Sequence, residues 1–158
     1  MKELIVNLVL ALIWLFLSTD QTVFDLFIGF IVGFAVLAVF QTVTGTTDYV
    51  RRVWAFVRFA VIFIREFILS NVHVAVFTLT VPRSKMHPAF VEVDVAGMTD
   101  AEIVILSQSV TLTPGTTAVE VNAEKTTLLV HFLDPSGAED KTADIRKNFK
   151  EPILSFMR

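Results

Sequence analysis

Cysteine is absent from this 158-residue chain, which excludes disulfides, thiol nucleophiles and thiolate metal sites. Charge is scarce in the half where it would be needed to dissolve the protein. Residues 1–82 carry ten charged side chains, five basic (Lys2, Arg51, Arg52, Arg58, Arg65) and five acidic (Glu3, Asp20, Asp25, Asp48, Glu66), and the other nineteen fall in residues 83–158. The 54% apolar content and mean hydropathy of +0.66 are therefore concentrated in spans. A soluble core of this size could not cover so many Phe, Leu, Ile and Val side chains, whereas a bilayer accepts them uncovered. The net charge is only −3, and no basic stripe is interleaved with exposed aromatics, which removes the electrostatic case for nucleic-acid binding.

The apolar run from Leu4 to Leu17 has the length of a signal peptide. However, Leu17-Ser18-Thr19-Asp20-Gln21 lacks the small-residue spacing that a signal peptidase needs, so the run reads as a retained helix. A second run, Val23 to Phe40, follows with only Thr19 to Thr22 separating the two helices, which predicts a tight antiparallel transmembrane hairpin over 1–47. Gly29 and Gly33 either admit a close helix backbone as a small-xxx-small pair or are merely tolerated. Asn7 reads as interhelical glue or an ion ligand. Asp25, in the first turn of the second helix, reads as a cap, with a cation or proton site as the rival.

Over 48–82 polar residues recur along an apolar helix at Arg51, Arg58, Arg65 and His73, within one stripe at about 100° per residue. The expectation is an amphipathic helix lying in the cytoplasmic interface, with a third span as the alternative. Arg65 and Glu66 leave the helix about 100° apart, so each is expected to seek a different partner, in solvent or as anchors to lipid or other subunits. Lysine and arginine placement puts both hairpin ends and the tail on the cytoplasmic side.

In the tail, Phe90 to Val95 alternates like a half-buried strand, and Thr99-Asp100-Ala101-Glu102 has the spacing of a capping box opening a helix whose buried side is Ile103, Leu106 and Val110. Leu112-Thr113-Pro114-Gly115-Thr116 breaks that helix with a turn of type II character. Strands are predicted over Ala118–Val121 and Thr127–Leu133. A last helix carries Ile145, Phe149, Ile153 and Phe156, kinked or interrupted by Pro152. The order over 83–158 is β-α-β-β-α, a small cytoplasmic two-layer α/β domain that would be marginal alone and is expected to dock on something.

His73, His87 and His131 sit on three elements without ligand partners at helical spacing, so no metal site is predicted, and His131 reads as structural or as a contact. The chain carries neither a Gly-x-Ser-x-Gly elbow nor a phosphate-cradling glycine loop, so neither enzymatic activity nor a cofactor is indicated.

Asn7-Leu8-x-Leu10-Ala11-x-x-Trp14, Gly29-x-x-x-Gly33, Ser70-Asn71-x-x-Val74-Ala75, Thr111-Leu112-Thr113-Pro114-Gly115-Thr116 and Val130-His131-x-Leu133-Asp134 occur in this order. Together they resemble the E component of Mrp/Mnh-type multisubunit cation/proton antiporters over essentially the whole chain. Leu106-Ser107-Gln108-Ser109-Val110 departs somewhat from the usual pattern. The resemblance implies an accessory subunit of a prokaryotic cytoplasmic-membrane assembly, whose partners are large complex I-like and small membrane subunits, and which exchanges sodium or other cations for protons. It would support assembly and transport rather than form the main ion path. The rival is a stand-alone membrane-anchored module that recruits a cytosolic partner. Candidates for helix packing or subunit contact are Asn7, Trp14, Asp25, Gly29, Gly33, Arg58, Arg65, Glu66, Asn71, Thr113, Pro114, Gly115, Thr116 and His131.

Overall fold

The computed structural model describes residues 2–40, 47–134 and 138–158; the last part of the predicted hairpin segment, 41–46, lies outside them. Two helices open the chain, α1 (Lys2–Leu17) and α2 (Val23–Val39). Thr22 caps α2 through its hydroxyl on the Asp25 amide, while the Asp25 carboxylate accepts from the Thr22 amide at 2.9 Å. This capping box satisfies donors that the helix start leaves open. Gly29 faces Ala11 and Trp14, and Gly33 faces Asn7 and Leu10, so α1 and α2 run antiparallel. Their outer surface is apolar: Leu4, Ile5, Phe16, Phe24 and Phe27 are all more than half exposed. Such a surface suits hydrocarbon rather than water.

Helix α3 (Thr47–Thr80) follows. Among the described residues it is the one helix long and apolar enough, over Asp48–Thr80, to cross a membrane by length and composition. A 3-10 turn (Arg83–Lys85) leads into β1 (Ala89–Asp94), α4 (Asp100–Leu112), β2 (Thr116–Val121) and β3 (Thr127–Phe132). The chain ends in α5 (Ala138–Ile145), a π turn (Arg146–Lys150) and α6 (Glu151–Met157). The three strands form one antiparallel sheet of order β1-β3-β2, with a register shift in β2 between Ala118 and Glu120. Pro152 sits at the start of α6. Its missing N–H and its ring leave the carbonyls one turn back without an ordinary partner, and the Glu151 amide bonds back five residues to Arg146. The helix is widened by a π turn rather than sharply broken.

Leu128, Val130 and Phe132 alternate inward on β3 and meet Leu106 and Val110 of α4 and Ile145, Phe149 and Ile153 of the last helices. Fully burying each such side chain contributes roughly 1.5–3 kcal/mol. Phe59 belongs to the same core, with Phe63 packed against it. For that reason the chain divides into compact units at 1–54 and 55–158, inside α3, rather than at either end of that helix. The tail's need for a surface to dock on is met in part by its own preceding helix.

Candidate subunit-contact site

Within the first unit, Asn7 is fully buried and its Nδ2 donates to the Tyr49 hydroxyl at 2.8 Å. Its Oδ1 has no hydrogen-bond partner among the described residues and lies against Gly33, where an added Cβ would come within 2.3 Å of it. At Gly29 a Cβ would meet the Ala11 carbonyl oxygen and Trp14 Cβ, each at 2.8 Å. Both glycines are thus positions where α1 occupies the space of a side chain. Phe34 packs edge-on against Tyr49 at 6.1 Å. Asp25 stands apart from this packing, at the α2 cap.

The second unit contains a cleft of about 340 Å³. One wall is the face of α3 bearing Glu66, Ser70, His73, Val74 and Phe77; the opposite wall is the turn from Thr113 to Thr116 with Leu133 and Asp134, and Lys141 and Asp144 of α5 close the rim. Three sequence segments that are far apart in the chain therefore meet at one place.

The threonines of the turn have assignable work. A helix end leaves its last carbonyls without amide donors, and Pro114 can supply none. The Thr113 hydroxyl donates to the Ser109 carbonyl at 2.8 Å, and the Thr116 hydroxyl lies 2.7 Å from the Val110 carbonyl and 2.9 Å from that of Thr113. Thr111 Oγ1 accepts the Ala118 amide at 3.1 Å, tying β2 to the helix it leaves. Gly115 has φ +88°, and the Thr116 amide returns to the Thr113 carbonyl at 3.2 Å, as a type II turn requires. The Gly115 carbonyl accepts from the Leu133 amide at 2.9 Å. A Cβ at Gly115 would lie 2.9 Å from Val74 Cγ2, so the glycine also sets how closely the turn approaches α3.

Asp134 gathers the Lys141 ammonium and the His73 imidazole at the rim. His73 Nε2 stands 3.7 Å from its carboxylate, and Lys141 Nζ lies 3.3 Å from it while also bonding the Asp134 carbonyl. Nothing in the spacing of these residues announced the cluster, because they are contributed by three elements.

One expectation is corrected. Arg65 and Glu66 pair with each other, Nη1 to Oε1 at 2.6 Å. Their Cβ bonds diverge, but the long Arg65 side chain crosses the gap from its exposed position. Arg58 is also exposed, and Asn71 turns its Nδ2 back to the Phe67 carbonyl at 2.7 Å; neither lines the cleft. His131 lies elsewhere, on the sheet face opposite the core, 5.2 Å from the ring of Phe90. Among the described residues no group of three or more His, Asp or Glu side chains is placed to hold a metal ion.

The domain bearing the cleft is closed by a pair that the sequence only half disclosed. Glu102 is 2% exposed and accepts from the Thr99 amide at 2.7 Å, as its place in the capping box predicts. It also receives Arg158 Nε at 2.9 Å, and the same guanidinium donates to the Gly97 carbonyl at 2.8 Å. The Arg158 hydrogen bonds, joined by those from Thr99 and opposed by burial, hold the Glu102 carboxyl at about 2. Lys150 likewise bonds Asp94 at 2.8 Å and lowers its carboxyl.

The chain matches a family model described as a Na+/H+ ion antiporter subunit over residues 7–156. It is 31% identical over 152 residues to the E component of the Na(+)/H(+) antiporter of Alkalihalophilus pseudofirmus, covering 96% of each chain. It is 30% identical over 156 residues to the E component of the Bacillus subtilis Na(+)/H(+) antiporter, covering 99% of this chain and 98% of the relative. The E1 component of the Staphylococcus haemolyticus Na(+)/H(+) antiporter is 30% identical over 151 residues, covering 96% and 94%. Among solved structures, a chain of the membrane-bound sulfane sulfur reductase, an archaeal respiratory membrane complex, is similar at a TM-score of 0.49 with 29% identity, over 84% of this chain and 83% of that one. The motifs of the hairpin, the third helix and the threonine turn are thus parts of one full-length pattern, and the chain belongs to the MnhE family of Na+/H+ antiporter subunits.

Proposed function

We propose that this protein is an accessory subunit of a multisubunit Na+/H+ antiporter in the cytoplasmic membrane, a transporter component rather than an enzyme. The observation that carries this reading is the match of the family over nearly the whole chain. The α1–α2 hairpin is its membrane part, and the α/β tail, with its eight lysines and arginines, stays on the cytoplasmic side. Among the described residues the hairpin interior holds one buried polar side chain, Asn7, engaged with Tyr49. A continuous path for cations or protons needs a series of ionisable groups, so ion transfer runs through other subunits and this one supports their assembly. The cleft between the threonine turn and α3, with its apolar floor and its paired charges at the rim, is the surface offered to a neighbouring subunit, and Asn7, Trp14, Gly29 and Gly33 set the packing of the hairpin.

The test is to tag the C-terminus, extract the native membrane in a mild detergent and identify the co-purifying chains by mass spectrometry. Several large hydrophobic antiporter-like subunits are expected. Recovery alone, or with one soluble protein, would overturn the reading.

A further inference from the structure

Helix α3 has two apolar faces, and among the described residues the tail covers one of them. At about 100° per residue, Phe59, Phe63, Ser70, Val74 and Phe77 fall on one side. The tail lies along that side. Phe156 packs on Phe56 and Phe59 at 5.5 and 5.3 Å, Phe149 on Phe63 at 6.4 Å, and Asp134 reaches His73 at 3.7 Å. The covered stretch, from Phe56 to His73, is about 26 Å long at 1.5 Å per residue. On the opposite side Val57, Val61, Ile64, Ile68, Val72 and Leu79 are exposed, by 44% at Val57 and 86% at Leu79.

By length and hydropathy α3 could cross a bilayer. Its packing forbids it. The chain that runs beside it carries Asp144, Arg146, Lys147 and Glu151 on its exposed surface, and about 26 Å of contact is nearly the full thickness of the hydrocarbon, roughly 30 Å. A spanning α3 would carry these charges into lipid. The bare face has no carboxylate: Glu66 lies on the cleft side, where it pairs with Arg65, and Arg58 stands exposed at the edge of the bare face. An apolar stripe with a cation along one edge complements the acyl boundary and the anionic phosphates above it.

We infer that α3 lies in the plane of the membrane at the cytoplasmic surface, with the Val57–Leu79 stripe in the headgroup and acyl boundary of phospholipid, Arg58 at phosphate level, and the α/β tail seated on its water side. This rests on the membrane reading proposed above. It gives the tail a fixed height over the bilayer and keeps every cationic cluster on one side.

The absence of cysteine allows single nitroxides to be placed in the full chain at Val61, Ile68 and Leu79, with Leu8 and Ile31 as hairpin controls. The chain is reconstituted in vesicles of phosphatidylglycerol and phosphatidylcholine, and depth is read by power-saturation EPR from oxygen and nickel-chelate collisions. Similar depths at all three α3 sites, about 5–10 Å below the phosphates, with deeper hairpin sites, are the expected result. A gradient with Ile68 near the bilayer centre and Leu79 shallow, hairpin controls still deep, would overturn the in-plane helix while leaving the membrane protein intact. Aqueous access or loss of oxygen contact at the α3 sites alone would equally overturn it. Hairpin controls without lipid contact would instead sink the membrane reading itself.

Discussion

Replacing Gly33 and Gly29 by alanine separates two kinds of close packing that sequence inspection treats alike. At Gly29 the new Cβ meets Ala11 O and Trp14 Cβ at 2.8 Å, and neither can withdraw unless the helices part. Comfortable carbon contacts lie at about 3.5–4.0 Å, so α1 and α2 must separate by roughly 1 Å, which forfeits a quarter to a half of the dispersion energy along the seam. Overpacking of this kind costs about 1–3 kcal/mol, offset by up to about 1 kcal/mol of alanine helix propensity. At Gly33 the nearest atom is closer, Asn7 Oδ1 at 2.3 Å, but it belongs to a side chain. The amide can turn away only by giving up the Tyr49 hydroxyl, a hydrogen bond with a net value of about 0.5–1.5 kcal/mol.

The two substitutions therefore respond differently to Asn7→Ala. Combined with Gly33→Ala it removes the obstruction, and a double-mutant cycle is expected to return about 1–2 kcal/mol of favourable coupling. The Leu10 Cβ contact at 3.1 Å leaves some residual cost. Combined with Gly29→Ala it relieves nothing, and the two effects should add within about 0.5 kcal/mol. Unfolding of the purified full chain in mixed micelles on titration with SDS, followed by circular dichroism, gives the four free energies. Equal coupling in the two cycles would refute the assignment of Asn7 as the side chain that Gly33 accommodates.

Glu102 makes stability dependent on acid. Its folded value of about 2 lies below the ordinary 4.5, so its contribution is complete above about pH 4.5 and is lost as the pH falls towards 2. The shift alone corresponds to about 3 kcal/mol, and the half-exposed Arg158 reduces this to about 1–2 kcal/mol; Glu102→Gln should flatten that part of the stability profile. Phe149→Ala opens a cavity against Phe63 and should destabilise by about 3–5 kcal/mol in chemical denaturation. Gly115→Ala combines a left-handed φ with a Cβ placed 2.9 Å from Val74, costing about 1–2 kcal/mol from the backbone alone. Val74→Ala in the same chain should recover the contact part and leave the backbone part, as read from thermal unfolding.

Local signals were legible in the sequence, and distant ones were not. The capping box at Thr99, the turn at Pro114 and Gly115, and the inward alternation of β3 each depend on residues within a few positions, and each element stands within two or three residues of its predicted limits. The Arg158 partner of Glu102 is 56 positions away, and the Asp134, His73 and Lys141 cluster joins three elements; neither leaves a trace in spacing. The adjacency argument failed for Arg65 and Glu66 because it considered where side chains start rather than how far they reach. For the threonine turn the motif was plain but its work was not. That its hydroxyls replace the donor missing at Pro114 follows only from seeing which carbonyls they meet.

Helix α3 shows what hydropathy alone leaves unresolved in such a segment. A helix apolar on all sides is read as a span because a window average cannot distinguish one face filled by protein from another left to lipid. Here the periodicity of Phe59, Phe63, Ser70, Val74 and Phe77 serves the tail, while that of Val57, Val61, Ile64, Ile68 and Val72 serves something else, and the two stripes lie half a turn apart. The few polar residues between them mark the seams. A domain of this size, with about 60% of its surface buried on folding, is marginal by itself. Joining its core to Phe59 and Phe63 makes α3 part of the domain's fold, so the helix that positions the tail also stabilises it. Substitutions on the covered face should therefore unfold the tail, whereas substitutions on the bare face should leave the tail folded and change only its attachment.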